Sequence, residues 1–184
     1  MEPVRISKVL LSKVLAHALR HEPWLYELEL DSEGWVELDV VLEALRSSRP
    51  AWRELGRSHI EQMIATSDKQ RYELDGPRIR ARYGHSLPGR VQLTPAAPPV
   101  VLYHGTSPVA AERIAREGLR PMRRQYVHLS ADRPMAEQVG RRKADTPVIL
   151  EVAALEAHAA GVVFYEGNPR VWLAEGVPPQ FMRA

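Results

Sequence analysis

The sequence predicts an α+β protein of two lobes, and three observations lead there. Apolar residues recur at helical spacing through much of the N-terminal half. Two alternating runs then flank Asp75-Gly76. Beyond a proline-rich stretch, short apolar strands alternate with short helices. The composition agrees: 184 residues, 45% hydrophobic and 26% charged, suit an ordinary globular chain with room for two small lobes. The absence of cysteine excludes disulfides, thiolate metal sites and a cysteine nucleophile. No apolar run is long enough to span a membrane, and the apolar segment of "MEPVRISKVLL" is too short for a signal peptide. A cytoplasmic protein is therefore expected.

Taken in order, Ile6, Leu10, Leu11, Val14, Leu15, Ala18 and Leu19 give a first helix. Pro23 disfavours helix at Glu22, so this helix should stop near His21. "GWVEL" reads as a short strand, and Asp39 as the N-cap of a helix through "VVLEALRSS". A third helix is expected from Ser58 in "SHIEQMIATS", followed by a hairpin in "DKQRYELDGPRIRARYG". Helices followed by a wing-like hairpin suggest a winged-helix-like lobe over residues 1–92. "LTPAAPPV", with its three prolines, supplies a semi-rigid linker at 93–99. Residues 100–184 form the mixed lobe: strands in "VVLYHGTS", "QYVHLS", "PVILEVAA" and "RVWLAEGVPPQFM", helices in "VAAERIAREGL" and "RPMAEQVGRR". Gly118 closes the first of those helices.

The net charge of +2 identifies no partner, but its distribution is informative. Arg78, Arg80, Arg82 and Arg90 fall in a run with no acidic residue. Further clusters are Arg120, Arg123, Arg124 and Arg141, Arg142, Lys143. Such patches suit phosphate-bearing partners, although each could equally be solvated surface. With a two-residue turn at Asp75-Gly76, Glu73 faces Arg78, Arg71 faces Arg80, and Lys69 faces Arg82. Tyr72, Leu74, Ile79 and Ala81 share the other, apolar side. Like charges directly opposed on paired strands are destabilising, which an anion between them would relieve. Lys69, Arg80 and Arg82 thus become candidate phosphate ligands beside Arg71. The seven histidines are scattered along the chain, no metal site stands out, and there is no glycine-rich phosphate loop.

Eight blocks follow in order: "LSKVLAHALRHEP", "GWVELDVVLEAL", "DKQRYEL", "IRARYGHS", "LYHGTS", "EGLRPMRRQYVHLS", "AEQVGRRK" and "NPRVWLAEGVPP". Together they resemble the NAD-dependent RNA (tRNA) 2′-phosphotransferases over nearly the whole chain. The resemblance implies an N-terminal winged-helix lobe for RNA and a C-terminal lobe of the ADP-ribosyltransferase fold for NAD. It implies an enzyme, expected as a monomer without metal, that moves an internal RNA 2′-phosphate onto NAD, a co-substrate consumed in the reaction. The RNA 2′-phosphate would attack the nicotinamide-bearing ribose and expel nicotinamide. The ribose 2″-hydroxyl would then attack phosphorus, giving 2′-hydroxyl RNA and ADP-ribose 1″,2″-cyclic phosphate.

The family's catalytic Arg-His-Arg-Arg set carries over to Arg20 and His21 in "LRHEP", Arg71 in "KQRYEL" and Arg142 in "VGRRK". Arg142 is chosen over the adjacent Arg141 because the pattern is Val-Gly-any-Arg. Arginine holds a phosphate bidentately with a charge that never titrates, and imidazole can handle a hydroxyl proton. The resemblance further places NAD contacts at His104, Gly105 and Thr106 of "YHGTS" and at His128 and Ser130 of "YVHLS". Gly105 would admit the cofactor close to the backbone. The glutamate of toxin-like relatives is missing, with Val171 in its place, as befits a nucleophile that is already an anion. Arg123 and Arg124 would either meet the NAD pyrophosphate or remain in solvent. His85 falls within a matching block, and Trp35 and Trp172 read as core. The alternative activity is an ADP-ribosyltransferase that leaves ADP-ribose on a nucleic-acid phosphate or other acceptor.

Overall fold

The computed structural model describes residues 6–183. They form a mixed α/β protein with six α-helices and two antiparallel sheets among the described residues. The chain divides into two compact units, residues 1–92 and 93–184.

The first unit opens with α1 (Lys8–Ala16), whose start is capped by Ser7 Oγ accepting from the Leu10 amide at 3.4 Å. A π-helical turn (His17–His21) continues it, followed by a 3-10 turn at Pro23–Tyr26. The sequence expectation of a helix ending near His21 holds in length, but not in pitch. β1 (Val36–Glu37) leads directly into α2 (Leu38–Ser48), and α3 spans Arg57–Ala65. Asp39 is not the N-cap. Glu37 holds that position without a side-chain cap bond, and the Leu38 amide instead donates to the Pro77 carbonyl at 2.8 Å. The neighbouring strand pair therefore satisfies the first orphan donor, and Asp39 sits in the first turn, where its charge suits the dipole.

β2 (Tyr72–Asp75) and β3 (Arg78–Ala81) form the hairpin, and β1 completes a sheet of order β1-β3-β2. Its register differs from the sequence expectation. Tyr72 pairs with Ala81, Glu73 with Arg80, Leu74 with Ile79 and Asp75 with Arg78, so the central turn residues are Gly76 and Pro77. Proline in the turn needs no ladder bond, and Gly76 takes a φ of 54°, which glycine adopts without penalty. The slip is by an even number of residues, so the apolar face survives. Tyr72, Ile79 and Ala81 join Leu15, Leu19, Val41, Leu45 and Ile60 in one core, with Leu74 packed against it.

The second unit is a six-stranded antiparallel sheet of order β7-β8-β5-β4-β6-β9. Its strands are β4 (Leu102–Thr106), β5 (Val127–Ser130), β6 (Val148–Val152), β7 (Phe164–Asn168), β8 (Val171–Ala174) and β9 (Met182–Arg183). α4 (Pro108–Glu117), α5 (Arg133–Gly140) and α6 (Ala154–Ala159) connect them. β7 and α6 are additions to what the sequence pattern suggests. Leu102, Leu129, Val152, Phe164 and Trp172 belong to its core. The proline-rich stretch lies within this unit: Pro95 bridges Tyr165, and the Ala96 amide donates to the Phe164 carbonyl at 2.8 Å. Trp35 and Trp172 are both buried.

Candidate active site

The π turn sets the direction of the first two candidate residues. Its wider pitch closes with the Glu22 amide donating to the His17 carbonyl, five residues back, at 3.0 Å. Arg20 is buried, only 8% exposed, at the edge of the first core. Its guanidinium carbon stands 5.6 Å from the Tyr72 ring centre and 5.1 Å from that of Tyr83. Such contacts stabilise a desolvated cation by about 2 kcal/mol. His21, half-buried, shares a 2.7 Å hydrogen bond between Nδ1 and Ser86 Oγ. The Ser86 amide donates to the Arg20 carbonyl at 2.8 Å, so the segment Tyr83–Ser86 clasps both residues. Between them His85 is buried, and its Nε2 has no hydrogen-bond partner among the described residues. Burial first, then the charges of Arg20, His21 and Arg80, lower its pKa to about 4, so it is neutral at physiological pH.

Arg71 stands just before β2. Its Nη1 is 3.5 Å from Ser12 Oγ, while the neighbouring Tyr72 hydroxyl donates to the Ser12 carbonyl at 2.7 Å. The charges of Arg20 and Arg71 both act on the Tyr72 hydroxyl, although burial outweighs them and raises its pKa. Arg20 and Arg71 thus both act on Tyr72, and the 83–86 segment holds Arg20 together with His21. The hairpin's like-charge argument does not survive the register. Glu73 lies opposite Arg80 and pairs with it at 2.8 Å, and Asp75 does the same with Arg78 at 2.9 Å. Arg80 also packs its guanidinium 4.4 Å from the Trp35 ring centre. The one remaining juxtaposition of cations is Arg71 with Arg82, whose amide donates to the Arg71 carbonyl at 2.9 Å. Lys69 lies two residues before Arg71, in the turn after α3.

In the second unit the candidate NAD contacts fall on neighbouring strands. Tyr103 of β4 pairs with Ser130 of β5, which pairs in turn with Val171 of β8. Thr106 and Ser130 are buried. His104 Nδ1 donates to the His128 carbonyl at 3.0 Å, which leaves Nε2 as an acceptor. Burial, reinforced by Lys143, lowers the His104 pKa to about 4 and maintains that neutral form. His128 follows the same logic: Nδ1 donates to the Tyr126 carbonyl at 3.0 Å, and Nε2 faces Arg124 Nη1 at 3.3 Å. The space that a Cβ on Gly105 would take is filled by the Ala136 carbonyl oxygen, 1.8 Å away. Close packing of α5 on β4 therefore already requires glycine there. Lys143 Nζ donates to the Gly105 carbonyl at 3.1 Å, and burial, then Arg124, lowers its pKa.

The sequence profile of the RNA 2′-phosphotransferase, Tpt1/KptA family matches residues 6–176. The chain belongs to this family. A probable RNA 2′-phosphotransferase of Acetivibrio thermocellus is 49% identical over 173 residues, covering 94% of each chain. Proteins of the same description from Pseudomonas aeruginosa and Rhodopirellula baltica are 43% and 40% identical, over 94% and 93% of this chain and 94% and 92% of theirs.

Within this Tpt1/KptA member, the two adjacent arginines after α5 differ in their engagement. Arg141 pairs with Glu137 at 2.6 Å, whereas the Arg142 side chain makes no hydrogen bond or ion pair with a described residue. Sequence reasoning missed Ser86 and Tyr83, and it placed Lys143 in a cation cluster without its bond to the Gly105 carbonyl. Ser86 lies 65 positions from His21. Only the block "IRARYGHS" hinted at it, and a block match does not say which atoms meet.

Proposed function

We propose that this chain is an NAD-dependent RNA 2′-phosphotransferase. The first unit, read as a winged-helix-like RNA lobe, orients the 2′-phosphate with Arg20 and Arg71, an effect on proximity and alignment. A phosphate oxygen attacks the anomeric carbon of the nicotinamide-bearing ribose, and nicotinamide leaves. The second unit, read as an ADP-ribosyltransferase-like lobe, engages the co-substrate through His104, Gly105, Thr106, His128 and Ser130. The acceptor Nε2 of His104 suits a ribose hydroxyl. In the second step the 2″-hydroxyl attacks phosphorus, and the RNA 2′-oxygen departs and takes up a proton. His21 handles the hydroxyl proton, and Arg142 stabilises the charge that develops on phosphorus. Lys69, Arg80 and Arg82 are assigned to RNA phosphates, Arg80 only by exchanging its bond to Glu73.

The observation that carries the reading is the clasp on Arg20 and His21, a buried guanidinium and an oriented imidazole presented by consecutive residues. Family membership supports it. The test is incubation with NAD and an RNA bearing an internal 2′-phosphate, following nicotinamide and RNA mass. The expected result is one nicotinamide released per 2′-phosphate lost. Arg142→Ala should accumulate RNA carrying ADP-ribose on its 2′-phosphate, because the second step slows more than the first. RNA that retains ADP-ribose with the unsubstituted protein would favour the plain ADP-ribosyltransferase instead. No nicotinamide release with any 2′-phosphorylated RNA would reject the phosphotransferase and any ADP-ribosyl transfer onto such RNA.

A further inference from the structure

A cavity of about 460 Å³ lies in the first unit, between α1 and the turn that joins α3 to β2. Lys8, Val9, Ser12 and Lys13 line one wall; their spacing puts all four on one helix face. Lys69 and Arg71 line the other, with Met63 and Ile64 of α3 adding apolar surface. Four cations thus meet a single carboxylate, Asp68, among the lining residues. Lys8 Nζ donates to Thr66 Oγ1 at 3.2 Å, which braces the helix against the turn. Val9 is 66% exposed in the midst of these charges. An apolar surface ringed by cations fits a flat base below and a phosphate at the rim. The volume is of the size, about 300–1,000 Å³, that encloses a small-molecule-sized group.

We infer that this groove is a nucleotide subsite, holding the RNA residue next to the one that bears the 2′-phosphate. The inference rests on the proposed role of Arg71, which lines the groove and would meet the 2′-phosphate. Arg71 Nη1 lies 3.5 Å from Ser12 Oγ, and Ser12 stands between Lys8 and Lys13 on α1, so a strand running from Arg71 along α1 meets these lysines next. An acidic peptide would satisfy the charges but would have no aromatic ring for the apolar surface.

The test is binding of labelled hexanucleotide RNA, with and without an internal 2′-phosphate, to the Lys8→Gln/Lys13→Gln double variant. A nucleoside 2′-phosphate serves as the minimal ligand. Both lysines are exposed, and glutamine is a good helix former, so the fold is retained. Both hexanucleotides should bind roughly tenfold more weakly, with the salt slope reduced by about one for each lysine. The nucleoside 2′-phosphate should bind unchanged, and Lys8→Arg/Lys13→Arg should restore the hexanucleotides. Unchanged hexanucleotide binding overturns the subsite, as does equal weakening of the minimal ligand. Displacement of the hexanucleotide by an acidic peptide at equal concentration assigns the groove to protein and overturns it too. Groove-dependent binding without nicotinamide release would sink the reaction and leave the subsite standing. Release with groove-independent binding would do the reverse.

Discussion

Nδ1 of His21 is 2.7 Å from the Ser86 hydroxyl, and the Ser86 amide holds the Arg20 carbonyl at 2.8 Å. The hydroxyl, which can donate to Nδ1 or accept from it, helps to set the tautomer and the turn of the imidazole, while the amide fixes the backbone beneath it. Ser86→Ala removes only the first of these. Loss of this hydrogen bond, about 1 kcal/mol, should lower the melting temperature by only a few degrees, while misorientation of His21 lowers turnover roughly fivefold. Nitrogen chemical shifts of His21 should show a redistribution of its two neutral tautomers, which a purely structural role would not produce. Ser86→Thr, which keeps a hydroxyl, should restore both. An unaltered tautomer ratio in Ser86→Ala would remove Ser86 from the account. Arg20 and His21 were singled out in the sequence by the family resemblance of "LRHEP"; a guanidinium and an imidazole before a helix-breaking proline would by themselves equally suit a helix C-terminus. Ser86 was not, since a hydrogen bond across 65 positions leaves no local trace.

Among the elements, alternation in the hairpin was legible and register was not. Tyr72, Leu74, Ile79 and Ala81 show their apolar face in any even register, whereas the turn at Gly76-Pro77 depends on where proline is tolerated. The consequence is electrostatic: Arg78 and Arg80 lie opposite carboxylates, not opposite other cations. The π turn was equally hidden, because an added residue per turn carries no compositional signal. Gly105 shows how an element can claim a residue that a motif assigns to a ligand. A Cβ there would stand 1.8 Å from the Ala136 carbonyl oxygen, a backbone atom that cannot move aside. Gly105→Ala should therefore destabilise the second unit by about 3 kcal/mol, the upper range for overpacking. Urea unfolding checks this without any co-substrate. Full stability in the variant would mean that α5 yields, and would return the glycine requirement to NAD.

At the scale of the whole molecule, each unit holds a histidine kept neutral by its surroundings, His85 buried and His104 half-buried. His85 in the first and His104 in the second both have pKa values lowered from 6.5 to about 4, chiefly by burial. The unfolded chain therefore binds a proton at each site near pH 6.5, while the folded chain refuses it until about pH 4. Between those values the unfolded state holds more protons, so stability must fall as the pH falls. The slope is about 1.4 kcal/mol per pH unit for each histidine in the middle of the window. Protonated His85 would be a buried cation facing Arg20, His21 and Arg80, and protonated His104 would face Lys143. Urea midpoints between pH 6.5 and 5 avoid most carboxylate titration and should decline steadily with acid. His85→Asn should be weaker overall, yet flatter across that window, with the first unit's share of the decline removed. His104→Asn should flatten the second unit's response alone. Unfolding free energies constant from pH 6.5 to 5 in the unsubstituted protein would contradict the withdrawal of both rings from water. An unchanged slope in His85→Asn would instead locate the acid sensitivity elsewhere in the first unit.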